Sequence, residues 1–152
     1  MATPNTMKFG AGAFYLGTND TTPVYTKLCG VTSWGISFSK ETADSSVPDC
    51  DSPDLPIWNQ TDVTAQGWSI SIEGFAVPEA QTMIEAATLS TVSIPVRLYI
   101  ADAGSGGATP DKLFSGKAHI RHEISAELKS RATIKLEVTG DGPCSVTSVA
   151  MP

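Results

Sequence analysis

Apolar and polar side chains alternate with a period of two along much of this chain. In Val31–Ser39, Trp34, Ile36 and Phe38 point one way, and Ser33, Gly35, Ser37 and Ser39 point the other. Gly67–Val77 repeats the arrangement, with Trp68, Ile70 and Ile72 set against Ser69, Ser71 and Glu73. A strand turns successive side chains to opposite faces of its sheet, so a single apolar face marks each stretch as a half-buried strand. Thr91–Ala101 has such a face in Val92, Ile94, Val96, Leu98 and Ile100. Leu113–Ile124 has one in Ala118, Ile120, His122 and Ile124, and Arg131–Thr139 has one in Ala132, Ile134, Leu136 and Val138. Ala13–Leu16 and Pro23–Leu28 flank the turn-like Gly17-Thr18-Asn19-Asp20 and predict a hairpin. Cys144–Ala150 brings the count to seven or eight strands, and Ile124–Ser130 reads as strand end or short helical turn.

The spacing changes to a helical one at Pro78. PEAQTMIEAATL, residues 78–89, has Pro at its first turn and Glu79 near the positive end of the dipole. Met83, Ile84 and Ala87, with Leu89 at the end, form an apolar stripe that fits packing against the sheet. One helix among many strands predicts a mainly β chain of the α+β class: a β-sandwich or partial barrel with one flanking α-helix. The 152 residues are the size of a single domain.

Three stretches lack any period. Residues 1–12 read as an extended arm, and Asp102–Asp111, with Gly104-Ser105-Gly106-Gly107, as a flexible loop. Residues 40–66 read as a long loop projecting between two inner strands, with Pro48, Pro53 and Pro56 among aspartates and serines. Loops beyond about 12–15 residues are uncommon in compact domains and tend to be functional. Leu55, Ile57 and Trp58 in this loop predict that it folds onto a partner surface, because a solvated tail has no need of them.

Charge sharpens that expectation. The formal net charge is −6, and Glu41–Gln66 contains six acids (Glu41, Asp44, Asp49, Asp51, Asp54, Asp62) with no Lys or Arg. The rest of the chain balances ten acids with ten bases, so the whole net charge sits in this segment. An acidic chain without clustered cations is unsuited to gripping nucleic acid. Charged residues are only 17% of the chain, below the roughly 25% of an average domain, which suits a subunit that hides its exterior against copies of itself and equally suits an ordinary β-sandwich.

No catalytic or metal-binding constellation emerges. His119 and His122, the sole histidines, fall on opposite faces of a strand and cannot share a metal there. The glycine-rich 104–107 run lacks the Lys-Ser/Thr and helix of a phosphate cradle. Asp49, Asp51 and Asp54 alternate like calcium ligands, but Pro53 and Pro56 break the register and no closing glutamate follows. Cys29, Cys50 and Cys144 are odd in number and far apart, which predicts free thiols in a reducing compartment. Neither a secretory signal nor an apolar run of about 18–20 residues is present, so no membrane is expected, and without a ligand-binding constellation no cofactor is expected.

The order of these elements resembles the major tail tube proteins of siphophages and, more distantly, the ring proteins of type VI secretion tubes. The likeness runs from about Ala13 to the end: a short hairpin, the strand Val31–Ser39, a long acidic loop, the strand Trp-Ser-Ile-Ser-Ile-Glu-Gly (Trp68–Gly74), one helix and further strands. It implies a structural virion protein rather than an enzyme, with homohexameric rings stacked into a tube that conducts DNA during ejection. It further implies tail terminator, distal tail and tape-measure proteins as partners. By the same resemblance, Ser33, Ser37, Ser39, Ser69, Ser71 and Glu73 face the lumen, where hydroxyls and a negative charge let DNA pass without specific binding. Asp49, Asp51, Asp54, Leu55, Ile57 and Trp58 then form the contact with the next ring. The competing expectations are a tail terminator or other virion ring protein, and a soluble β-sandwich binding module whose recognition surface centres on Trp58.

Overall fold

The computed structural model describes residues 12–18, 21–100 and 112–148. Among them run β1 (Gly12–Gly17), β2 (Tyr25–Lys27), β3 (Val31–Ser45), β4 (Gln60–Phe75), α1 (Pro78–Leu89), β5 (Ile94–Ile100), β6 (Lys112–Ser125) and β7 (Thr133–Ser148). The strands form one antiparallel seven-stranded sheet in the order β2-β1-β5-β6-β7-β4-β3. The mainly β class with a single flanking helix is as the pattern predicts. The arm expected at residues 1–12 (save Gly12, which opens β1) and the loop at 102–111 lie outside the described residues.

Of the two expected architectures, sandwich and partial barrel, the packing selects the second. Four strands separate β1 from β3 in the sheet order, yet Trp34 on β3 lies against Gly12 on β1. A Cβ at Gly12 would overlap the Trp34 indole, so glycine is what lets the two strands approach. The sheet thus curls toward its apolar face until its ends nearly meet. Inside the curl lie Phe14, Leu16, Trp68, Ile70, Ile72, Val96, Leu98, Ile120, Leu136 and Val138, all buried. Burying each large aliphatic side chain contributes about 1.5–3 kcal/mol.

The helix covers this core with Ile84 and Ala87, while Ala80 and Met83 pack at its margin. Leu89, expected in the apolar stripe, is instead 83% exposed, because it falls at the last residue of the helix, where the chain turns away. No side chain caps the N-terminus; the Val77 carbonyl accepts from Ala80 N and Gln81 N, and Pro78 removes one donor that would need a partner. At the other end the Thr88 hydroxyl donates to the Ile84 carbonyl at 2.9 Å and meets His122 Nδ1 at 2.6 Å, tying α1 to β6.

Several strand boundaries differ from expectation. β5 begins at Ile94 rather than Thr91, so Val92, expected on its apolar face, lies before the strand and is exposed. The projecting loop expected over 40–66 is for half its length a β-ribbon: β3 continues to Ser45 and β4 begins at Gln60, leaving 46–59 as the connecting tip. Both faces of the ribbon are solvated, so no apolar periodicity marks it, although Thr42, Thr61, Val63 and Thr64 have strong strand preferences. Likewise Arg131–Thr139 and Cys144–Ala150, expected as separate strands, are parts of the single β7. The turn-like Gly140–Pro143 between them is a bulge: Ser145 pairs with Ser115 and Asp141 with Lys117, so residues 142–144 oppose Gly116 alone.

Candidate functional site

The surfaces that stand out are edges, a face and a projection rather than a cleft. β4 pairs with β7 only from Ser69 to Phe75, whereas its pairing with β3 continues to Gln60. Beyond Ser69 the β3–β4 pair therefore leaves the sheet as a two-stranded ribbon, roughly 30 Å long at about 3.4 Å per residue. An isolated two-stranded ribbon is marginal in water. Thr61 Oγ1 donates to Asp44 Oδ1 and Thr64 Oγ1 to the Glu41 carbonyl, fastening the ribbon across its strands. Among the described residues none from 40 to 66 is buried.

At the ribbon's end the structure gathers the six residues expected to make a contact. Asp49, Asp51, Asp54, Leu55, Ile57 and Trp58 are all exposed there, Trp58 at 93%. Asp49 Oδ1 accepts from Asp51 N at 2.9 Å and the Ser52 carbonyl accepts from Leu55 N, local turns that shape the tip. Val47, 76% exposed, adds to its apolar surface.

The six positions expected to line a lumen also share one face. Ser33 pairs with Glu73, Gly35 with Ser71, Ser37 with Ser69 and Ser39 with Gly67, and all six are exposed. The Ser37 and Ser69 hydroxyls bond each other at 2.8 Å. The same face continues onto β7 and β6, where it carries bases that the serine pattern of β3 and β4 did not disclose. Lys135 Nζ lies 3.4 Å from Glu73, Arg121 pairs with Glu137, and His119 Nε2 lies 3.8 Å from Asp141. Glu73 is thus one half of an ion pair rather than a lone negative charge. These exposed pairs are worth little to stability, about 0.2–1 kcal/mol each, but each cation has a carboxylate beside it.

Among the described residues the sheet ends in open edges at β2 and β3, and two lengths of open edge bound the section β3-β4-β7-β6. β3 has β4 on one side and no strand on the other. β6 pairs with β5 only as far as Ala118, so His119–Ser125 has β7 on one side and a free edge on the other. The section β3-β4-β7-β6 therefore presents unpaired backbone at both ends.

Two further features escaped the sequence. Trp68, read only as one apolar position, sits where the ribbon leaves the sheet, its indole over Gly116 and Gly140. Arg97 interrupts the apolar run of β5 and stacks on Tyr25, 3.8 Å from guanidinium carbon to ring centroid. A cation within IPVRLYI was the available signal for it.

An open sheet edge, a polar face and an acidic projection are the parts of a self-assembling structural protein. Residues 10–146 match the phage tail tube protein family, and the chain belongs to that family. It is a structural component of the virion tail and not an enzyme. No curated protein matches the sequence. Among solved structures, the fold is similar to the tail subunit of an empty gene transfer agent particle, with a TM-score of 0.73 at 16% identity over 93% of this chain and 99% of that one. It is also similar to the SPP1 tail tube protein (TM-score 0.66, 12% identity, 96% and 81% covered). A third likeness is to a chain of the sheath-tube complex of an extracellular contractile injection system (TM-score 0.55, 12% identity, 95% and 93% covered). Among the described residues no helix is long and apolar enough to cross a membrane.

Proposed function

We propose that copies of this chain close into homohexameric rings by pairing the free edge of β3 in one subunit with the open edge of β6 at His119–Ser125 in the next. The observation that carries this reading is the presence of two unpaired edges on one four-stranded section. Backbone N–H and C=O groups on an open edge invite a further strand, and head-to-tail pairing satisfies both of these edges at once and leaves neither open when the ring closes. Sixfold closure has its support in the similar gene transfer agent tail, which was refined with C6 symmetry.

In such a ring the solvated face of β3-β4-β7-β6 lines the bore. From His119 to β3, its serine hydroxyls and carboxylate-paired cations give DNA no free cluster of positive charge to bind, so the duplex slides. Rings then stack through the β3–β4 ribbon, whose apolar and acidic tip meets another ring, and the tube's ends meet terminator, distal tail and tape-measure proteins. Negative-stain microscopy of the purified chain tests this: stacked sixfold tubes are expected. Single rings that never polymerise would move the chain to the terminator role, and a persistent monomer would overturn ring formation.

A further inference from the structure

On the same solvated face, at its β5 end beyond His119, β2, β5, β6 and the end of β7 form an open groove of about 540 Å³. Tyr25, Pro95 and Pro143 supply its apolar walls, and Arg97 and Lys117 its positive charge, against one acid, Asp141. The Arg97 guanidinium lies over the Tyr25 ring, and its Nε–H is buried with no hydrogen-bond partner among the described residues. A buried, unbonded N–H is costly, and such groups are rare in a finished structure. A guanidinium fixed by stacking is preorganised for a carboxylate.

The complementary surface is on the same chain. The ribbon tip carries Asp49, Asp51 and Asp54 beside the exposed Trp58, within a segment that has no Lys or Arg from Glu41 to Gln66. We propose that the Arg97 groove receives the acidic tip of the β3–β4 ribbon from a second copy of this chain, tip carboxylates meeting Arg97 and Lys117 and the Trp58 ring lying on the Tyr25 and proline walls. The inference rests on the tube reading and specifies the contact that stacking uses. Charges of opposite sign on the two surfaces also orient successive subunits, because tip against tip and groove against groove both repel.

The test follows tube growth of the full chain by light scattering and negative-stain microscopy. Lys117→Glu, at an exposed position, is expected to raise the protein concentration needed for growth by on the order of tenfold or more, the effect of losing one close interfacial charge pair. Arg97→Gln is expected to do the same, with circular dichroism confirming the fold of each variant. Combining Lys117→Glu with Asp51→Lys and Asp54→Lys is expected to restore growth that either change alone impairs. A wild-type chain that stays monomeric overturns the tube reading and the groove together. Wild-type tubes whose growth ignores Lys117→Glu, or a charge swap that restores nothing, overturn the groove alone.

Discussion

Trp68 donates its indole N–H to the Gly142 carbonyl at 3.0 Å, joining the root of the ribbon on β4 to the bulge of β7. The two strands stop pairing at Ser69 and Thr139, so this bond crosses the point where the sheet divides. The indole covers Gly140 and Gly116, and a side chain at Gly140 would overlap it. Gly142, at φ +86°, takes the left-handed conformation that the bulge requires and that glycine adopts without strain. On one side of this contact lies a packed core, and on the other a ribbon with no buried residue. Trp68 therefore sets the angle at which the ribbon leaves the subunit.

Removing the wedge costs stability first. Trp68→Ala is expected to destabilise the chain by about 3–5 kcal/mol, as for other buried aromatic truncations. Trp68→Phe keeps most of the volume but leaves the Gly142 carbonyl without its donor, a loss of about 1 kcal/mol. Gly140→Ala, which forces a methyl into the indole, is expected to cost about 1–3 kcal/mol. Urea unfolding of the three variants checks the order, and a neutral Gly140→Ala would show that Trp68 can move aside.

What the sequence disclosed follows from which residues bury one face. β4 and β7 alternate because Ile70 and Ile72, and Leu136 and Val138, face the core while their neighbours face water. The ribbon was invisible as strand because Thr42–Ser45 and Gln60–Gln66 face water on both sides, and a pattern needs a contrast. The bulge of β7 looks like a break in sequence, since Gly140, Gly142 and Pro143 favour turns; the Trp68 contact shows why they sit within a strand. The cations of the polar face were legible as residues, but placing Lys135 beside Glu73 takes the pairing register. The acidic character of the tip, in contrast, needs no register to be seen, since six acids without a base stand together in Glu41–Gln66.

The three thiols are expected to differ in reactivity. Cys29 and Cys50 are exposed, whereas burial pushes the Cys144 thiol up, an effect that a backbone hydrogen bond at Ser115 only partly offsets. A raised pKa leaves less thiolate at a given pH, and thiolate is what attacks a maleimide. Cys144 is expected to label last at mildly alkaline pH and to gain most as the pH is raised further. Peptide mapping after timed maleimide exposure reads this directly; equal labelling of all three would show that Cys144 is not shielded.

Charge reversal on the polar face tests what the bore does. Glu73→Lys with Ser71→Lys is expected to leave folding nearly unchanged, since both sites are exposed and the Glu73–Lys135 pair is worth under about 1 kcal/mol. Tubes are expected to form, while DNA release from reconstituted particles slows and becomes salt-dependent, because unpaired cations on every subunit would now bind phosphate. Release at the normal rate would place this face away from the bore.

Shortening the ribbon separates folding from stacking. Residues 42–64 contribute no buried side chain, and Gly67–Phe75 keeps its partners on β3 whether or not the ribbon extends. A Gly-Ser turn in place of Thr42–Thr64 closes a shorter loop, and loop length itself changes the closure cost by only about 0.6 kcal/mol per doubling. The shortened chain is therefore expected to fold, with a melting temperature close to that of the full chain. It retains the β3 edge from Val31 to Glu41 and the β6 edge at His119–Ser125, so rings are expected to close. It lacks Asp49, Asp51, Asp54, Leu55, Ile57 and Trp58, so those rings should remain single instead of stacking. Trp58→Ser, which changes an exposed side chain and so leaves stability within about 0.5 kcal/mol, is expected to weaken stacking in the same direction with the acidic residues still present. Normal tubes from the shortened chain would remove the stacking role from the ribbon, and a shortened chain that cannot fold would show that the ribbon supports the core as well.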